Sequence, residues 1–159
     1  MPEKGRGNPE EELKRAYKFL SYRPRSEAEV RAKLSQLGFP HKIIETALEK
    51  LRSLSLLDDE SFARGWARAR AEGRGYGPLR IERELRQKGV TRSVIQEVVR
   101  ETFGRNEGKE KARALLEKRF QGKDLGDRKI LNRAIAFLQR RGYRSSVIAE
   151  LLHEPLSDD

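Results

Sequence analysis

Three copies of one short pattern run along this chain of 159 residues, and no other sequence feature constrains the fold as strongly. In each copy a leucine is followed, after three residues, by a glycine and then by an apolar or aromatic residue. The copies are Leu34-x-x-x-Gly38-Phe39, Leu85-x-x-x-Gly89-Val90 and Leu138-x-x-x-Gly142-Tyr143. Their glycines are 51 and 53 residues apart (89 − 38 and 142 − 89). A period of this length is typical of stacked supersecondary units, so the sequence predicts a row of similar modules.

Each module is predicted to contain three helices, because apolar residues recur at helical spacing and strict alternation is nowhere sustained. The first helix is predicted from Leu13, Ala16, Tyr17 and Leu20. Ser26 and Glu29 form a candidate capping box for the second helix, and Gly38 is expected to end it in the left-handed conformation. An aspartate of Leu57-Asp58-Asp59 and Thr91 are predicted to cap later helices.

The predicted fold class is all-α, an elongated array of three tandem three-helix repeats. The expected organisation is a flexible N-terminus at residues 1–9, repeats at 10–56, 57–106 and 107–152, and an acidic C-terminal tail at 153–159. Three short helices bury little surface alone, so neighbouring repeats are expected to share apolar faces.

Positive charge is concentrated in the second and third repeats. The net charge is +10, from 35 basic and 25 acidic residues. Residues 62–92 have nine basic and three acidic side chains (net +6), and residues 109–144 have twelve and four (net +8), whereas residues 1–61 have twelve and eleven (net +1). This distribution favours a polyanionic or acidic partner. Solvated helix faces are the alternative explanation.

Residues with the chemistry of a catalytic or metal site are scarce. There is no cysteine, and His41 and His153 lack companions at ligand spacing. Asp58-Asp59-Glu60 is the acidic cluster considered for a metal, and helix capping explains it better than metal binding, because consecutive helical side chains point in different directions. We therefore expect no enzyme activity, no metal and no cofactor. Because the sequence has neither a signal peptide nor an apolar stretch of about 18 residues, a cytoplasmic protein is expected.

Basic side chains are predicted to form stripes on the helices of the second and third repeats. With Ile81 and Leu85 turned inward, Arg80, Arg83 and Arg86 fall on the opposite side of their helix. The full set of candidate partner-binding or DNA-binding residues is Arg64, Arg68, Arg70, Arg74, Arg80, Arg83, Arg86, Lys88, Lys129, Arg133, Arg140, Arg141 and Arg144. Arginine dominates, and its planar fork suits phosphate and carboxylate groups. If the stripe is exposed, Arg80→Glu combined with Arg83→Glu is expected to leave the stability nearly unchanged.

The middle of the chain resembles the central motif of the RecX regulatory proteins. The matching residues are Leu57-Asp58-Asp59-x-x-Phe62-Ala63-x-x-Trp66-x-x-x-Arg70 and Gly75-x-Gly77-Pro78-x-Arg80-Ile81-x-x-Glu84-Leu85-x-x-Lys88-Gly89-Val90. Looser similarity to the first RecX repeat covers Ser26-x-x-Glu29-Val30-x-x-Lys33-Leu34-x-x-x-Gly38. Similarity to the third covers Ala114-Leu115-Leu116-x-x-Arg119-Phe120 and Leu138-x-Arg140-Arg141-Gly142-Tyr143. The resemblance extends over about residues 14–152.

This resemblance implies a curved array that binds the recombinase RecA and its nucleoprotein filament, and that mainly inhibits ATPase, strand-exchange and coprotease activity. It also implies a role in recombination, DNA repair and the SOS response. A monomer that binds no membrane is expected. Two alternatives remain at this point: a direct binder of single- or double-stranded DNA that uses basic three-helix modules, and a helical-repeat adaptor for another acidic protein.

Overall fold

The structure, a computed structural model, describes residues 9–153. Within this range there are nine α-helices and no strand, which confirms the predicted all-α array of three-helix repeats. The helices are α1 (Pro9–Tyr22), α2 (Glu27–Gln36), α3 (His41–Ser53), α4 (Asp59–Arg74), α5 (Pro78–Gln87), α6 (Arg92–Phe103), α7 (Lys109–Arg119), α8 (Arg128–Arg141) and α9 (Ser145–His153). The predicted flexible N-terminus and acidic tail lie outside the described residues, except that Pro9 begins α1 and His153 ends α9.

The predicted helix caps are present with one exception. Ser26 Oγ accepts a hydrogen bond from Glu29 N, and the Glu29 carboxylate accepts one from Ser26 N, which confirms the capping box. Asp58 caps α4 by accepting hydrogen bonds from Glu60 N and Ser61 N. Thr91 precedes α6 as predicted, but its side chain makes no capping hydrogen bond.

The repeated pattern encodes the turn that ends each middle helix. Gly38, Gly89 and Gly142 have φ angles of +90°, +77° and +96°, a conformation that glycine adopts without steric cost. In each copy the residue after the glycine donates its N–H to the carbonyl of the pattern leucine, at 3.1–3.2 Å: Phe39 to Leu34, Val90 to Leu85 and Tyr143 to Leu138. The pattern is therefore the signature of a Schellman turn followed by a buried or half-buried anchor residue.

Each repeat has its own apolar core. Leu34, Leu85 and Leu138 lie in three separate clusters of buried side chains, which are drawn from residues 16–57, 62–103 and 112–151. The expectation that neighbouring repeats share apolar faces is therefore not met by any common core among residues 9–153. The ends of the middle helices form the junctions instead.

The junctions join the middle helices head to tail. At the first, Ser26 Oγ, which precedes α2, donates to Lys88 O at the end of α5, with the two oxygens 2.7 Å apart. At the second, Gly77 N, which precedes α5, donates to Arg141 O at the end of α8, and the two atoms are 2.6 Å apart. Leu79 N donates to Gly142 O at 2.9 Å. The positive end of one helix dipole thus meets the negative end of the next.

Two of the pattern glycines also allow these helix ends to approach closely. A Cβ added to Gly89 would overlap the Ala28 side chain, and one added to Gly142 would lie 2.5 Å from Arg80 Cβ. Because real Cβ atoms do not come this close to other heavy atoms, only glycine fits at both positions. The pattern therefore sets the contact between repeats as well as the turn within each one.

The apolar stripe of α1 is shifted from the predicted one. Tyr17, which was predicted to face inward, is 39% exposed, whereas the Glu12 side chain is buried. Both Glu12 carboxylate oxygens lack a hydrogen-bond partner among residues 9–153, and burial raises the pKa of this carboxyl. Phe19, which the predicted stripe omits, packs against the first core.

Candidate partner-binding surface

The thirteen candidate basic residues divide into two groups. Seven have side chains without an ion pair or hydrogen bond to any described residue: Arg68, Arg74, Arg83, Arg86, Lys129, Arg133 and Arg140. All seven are exposed. The other six are held by carboxylates, aromatic rings or backbone carbonyls: Arg64, Arg70, Arg80, Lys88, Arg141 and Arg144. Only the first group is free to bind a partner without first breaking an internal contact.

Trp66 lies at the centre of one internal cluster. The Arg70 guanidinium stacks 4.3 Å from the ring centroid, and Lys88 Nζ lies 5.0 Å from it. The indole N–H donates to Glu84 Oε2 at 3.2 Å. The ring packs against the second core, so it is not a free platform for stacking a nucleic-acid base.

Arg80 does not belong to an outward stripe as predicted. Its guanidinium lies 3.7 Å from the centroid of the Tyr76 ring, and its Nη1 donates to Arg140 O at 3.2 Å. It also lies 3.7 Å from Glu84. Arg80 therefore joins the second repeat to the third, because the end of α8 lies directly above its side chain.

Arg64 and Arg144 are half-exposed but already neutralised. Arg64 lies 3.0 Å from Glu101 and within 4 Å of two further carboxylates, and the hydrogen bond to Glu101 is the main cause that raises the pKa of its guanidinium. Arg144 lies 3.6 Å from Glu82 and 3.4 Å from Glu107. Exposed pairs of this kind contribute little to stability, but they lower the local positive charge.

A basic groove of about 650 Å³ lies between the second and third repeats. Five cationic residues and one carboxylate line it: Arg74, Lys111, Lys118, Arg119, Arg141 and Glu72. The apolar part of the lining includes Leu115 and the Phe137 ring, which has Arg141 at 5.0 Å and Arg119 at 5.9 Å from its centroid. Burial raises the pKa of Tyr143 in the same groove to about 12, so its phenol stays neutral. The groove can hold an anionic chain against an apolar floor.

The basic groove continues along α4 towards Arg68. A smaller depression lined by Arg64, Arg68 and Glu101 shares Glu72 and Lys111 with it. Unpaired or weakly engaged cations therefore follow the line where α4 meets α7. Such a line suits an extended anion better than a compact one.

Three residues of the basic groove were not among the sequence candidates: Lys111, Lys118 and Arg119. They lie on α7, where Lys111, Leu115, Lys118 and Arg119 have the i, i+4, i+7, i+8 spacing of one helix face. The same helical-wheel analysis applied to α7 would have found the face. Helical spacing would not have shown that Arg74 lies across the groove from α7, because that position depends on how the repeats pack together.

The remaining free cations lie elsewhere. Arg86 lines a separate groove of about 490 Å³ with Glu82, the paired Arg144 and Arg92, which was not among the candidates. Lys129, Arg133 and Arg140 are exposed along α8, as predicted. Among residues 9–153, no three acidic, histidine or cysteine side chains gather closely enough to hold a metal ion, and no helix is long and apolar enough to cross a membrane.

Family models place the three repeats in one known class of protein. Models of the first, second and third three-helix domains of RecX match residues 13–51, 58–99 and 107–152. The three matches follow one another in the order of the family. Together they cover more than half of the chain.

Individual relatives agree with the family models. The chain is 35% identical over 151 residues to the regulatory protein RecX of Corynebacterium efficiens, covering 91% of this chain and 71% of that protein. It is 34% identical over 141 residues to the regulatory protein RecX of Trichlorobacter lovleyi, covering 87% of this chain and 92% of that protein. A crystal structure of a regulatory protein RecX superposes with a TM-score of 0.75 at 28% identity, covering 92% of this chain and 72% of that one.

Proposed function

The chain belongs to the RecX family, and from that premise we propose that it binds RecA and RecA–DNA filaments and mainly inhibits their activities. The proposed targets are ATP hydrolysis, strand exchange and coprotease activity in recombination and DNA repair, including the SOS response, within the cytoplasm. The observation that carries this proposal is the match of all three RecX domains in order along one chain. The protein is proposed to act as a monomeric regulator and not as an enzyme.

The basic groove is the part of the molecule that best fits an acidic surface on a RecA protomer. It joins two repeats, so a partner that occupies it contacts both at once. Its cations alternate with an apolar floor at Leu115 and Phe137, as in protein interfaces that have a desolvated centre and a charged rim. The exposed cations Arg83 and Arg86 lie on α5, with Arg86 in the separate groove, and would form a second contact.

The proposal is tested by titrating the chain into RecA assembled on single-stranded DNA while ATP hydrolysis is measured. Wild-type protein is expected to inhibit hydrolysis at stoichiometric or lower amounts. Lys111→Glu with Lys118→Glu reverses two charges on α7, so two attractive contacts with an acidic partner become repulsive. The half-inhibitory concentration is expected to rise about tenfold, which corresponds to a loss of about 1.4 kcal/mol of binding free energy. If wild-type protein does not inhibit RecA from the same organism, the proposed function is wrong.

The control for this experiment is Lys42→Glu with Lys50→Glu. Both lysines are exposed on α3, one in the first turn and one in the last, as Lys111 and Lys118 are on α7. The same change of net charge therefore occurs at matched positions on the first repeat, outside the basic groove. Inhibition by this control is expected to stay within about twofold of wild type. Equal losses in both variants would show that net charge matters and that the groove does not.

A second candidate function is direct binding of DNA, which the ratio of five cations to one carboxylate in the basic groove favours. The aromatic rings nearby are buried or covered by cations, so such binding would rely on phosphate contacts and not on base stacking. In a salt series on bare duplex DNA, each lost contact is expected to reduce the log–log slope by about 0.9. Tight binding without RecA, with a smaller slope for the double Lys111 and Lys118 variant, would establish this function.

A further inference from the structure

The end of α2 is a copy of the junction surface that no residue between 9 and 153 occupies. In the other two repeats, the carbonyl of the residue before the pattern glycine accepts a hydrogen bond from the residue that caps the preceding middle helix. Lys88 O accepts from Ser26 Oγ, and Arg141 O accepts from Gly77 N. The equivalent atom of the first repeat is Leu37 O. It accepts no hydrogen bond from residues 9–153.

Gly38 shows the same vacancy. It has the same left-handed turn as Gly89 and Gly142, yet a Cβ added to it would meet no atom of the described chain within 4 Å. At Gly89 and Gly142 a helix N-terminus fills this space. The space that a helix N-terminus fills at the other two glycines is therefore open at Gly38 among residues 9–153.

The side chain at this end also differs from its equivalents. Lys88 and Arg141 reach back to the preceding repeat, where Lys88 lies 3.8 Å from Glu29 and Arg141 donates to Arg74 O. Leu37 stands in the same position and is 40% exposed. Terminal repeats of an array normally present a polar outer face to water. An exposed leucine beside an open carbonyl is instead what a protein contact needs.

At the opposite end of the array, the polar groups of the residue that caps α8 are bonded within their own repeat. Asp127 Oδ1 accepts from Lys129 N at 2.8 Å, and Asp127 N donates to Asp124 O at 3.1 Å. The cap of α8 therefore has no free donor equivalent to Ser26 Oγ or Gly77 N. A second copy of the chain would bring this closed end, with the exposed cations Arg128 and Lys129, towards the last turn of α2, which has Lys33.

We propose that the end of α2, at Leu37–Phe39, is a docking site for the N-terminus of an α-helix in the partner protein. Two occupied copies of the surface define the partner's chemistry. Its cap must donate a hydrogen bond to Leu37 O, as serine, threonine or glycine can. Its first turn must place a Cβ atom against Gly38, as Ala28 and Arg80 do at the other two pattern glycines. This inference rests on the proposed function in taking RecA as the protein that supplies the helix.

The test compares Gly38→Asn with Gly122→Asn in binding to RecA filaments on single-stranded DNA, followed by fluorescence anisotropy of the labelled full-length chain. Both glycines have positive φ, at +90° and +73°, and both have open space around them. Asparagine tolerates the left-handed conformation better than other side chains, so both variants are expected to fold. Thermal melting of each variant checks this.

Gly38→Asn is expected to weaken filament binding roughly tenfold or more, because its side chain fills the space that the helix end would occupy. Gly122→Asn is expected to bind like wild type. If wild type binds and Gly38→Asn binds within twofold of it, the docking site is wrong and the proposed function stands. A wild-type chain that does not bind RecA overturns the proposed function and RecA as the source of the helix. Self-association in sedimentation that Gly38→Asn abolishes would make a second copy the occupant, contrary to this proposal.

Discussion

Ser26 Oγ donates a hydrogen bond of 2.7 Å to Lys88 O, 62 residues further along the chain. The same hydroxyl accepts a hydrogen bond from Glu29 N and so caps α2. Ser26 is fully buried, so no water can replace either contact. One side chain thus starts a helix and also receives the end of the next repeat.

Replacing this hydroxyl should therefore cost more than the loss of an ordinary cap. Ser26→Ala is expected to lower the free energy of unfolding by about 1–3 kcal/mol, since a cap contributes about 1 kcal/mol and a buried carbonyl also loses its donor. Thr91→Ala is the control, because Thr91 occupies the same position before α6 without a capping hydrogen bond. Urea unfolding should show a change of at most a few tenths of a kcal/mol for the control. Equal effects would show that neither the cap nor the junction contact of Ser26 contributes to stability.

The two roles of the pattern glycine can be separated by comparing Gly142→Ala with Gly38→Ala. Both substitutions place a side chain at positive φ, which costs about 1 kcal/mol. At Gly142 the new Cβ would also lie 2.6 Å from Arg80 N, so overpacking adds about 1–3 kcal/mol. Chemical unfolding should therefore show the larger loss for Gly142→Ala. A matching loss at Gly38 would contradict the close approach of α8 to α5.

Arg80 and Arg83, which the sequence analysis placed in one exposed stripe, should behave differently. Arg80→Glu is expected to lower the melting temperature, because it removes the contacts with the Tyr76 ring and Arg140 O and places a carboxylate beside Glu84. Arg83→Glu is expected to change stability by less than about 0.5 kcal/mol, because the side chain is exposed and unpaired. Thermal melting of the two single variants checks both expectations. Similar melting temperatures for the two variants would show that the internal contacts of Arg80 do not contribute to stability.

The buried carboxyl of Glu12 is expected to make the stability of the protein depend on pH. Because burial raises the pKa of its carboxyl above the ordinary value of 4.5, the folded state holds this proton more tightly than the unfolded state. The destabilising effect of Glu12 is therefore absent below pH 4.5 and complete above the folded pKa. Glu12→Gln is expected to raise the melting temperature at pH 7, and the gain should disappear as the pH falls to 4. Glu11→Gln, at an exposed neighbour, is expected to change neither value.

The sequence predicted the surface charge of the two basic repeats but not which cations are free. Helical spacing placed Arg64 and Arg80 outward, and both are at least partly exposed. Their partners come from other helices: Glu101 on α6 pairs with Arg64, and Arg140 O at the end of α8 accepts from Arg80. A wheel describes one helix at a time, so it cannot show contacts that depend on how helices pack together.

The sequence alone determined the helices, their ends and the repeat, because capping, the Schellman turn and apolar spacing are set by residues within a few positions of one another. It also determined the family, through the RecX motif around Trp66 and Gly89. Tertiary structure decided how the repeats join. Contacts such as Ser26 with Lys88 and Gly142 with Arg80 link residues about 60 positions apart, and local propensity does not encode such pairings. The tertiary structure alone therefore shows the basic groove. It also shows that the end of α2 at Gly38 is a copy of the junction that no described residue occupies.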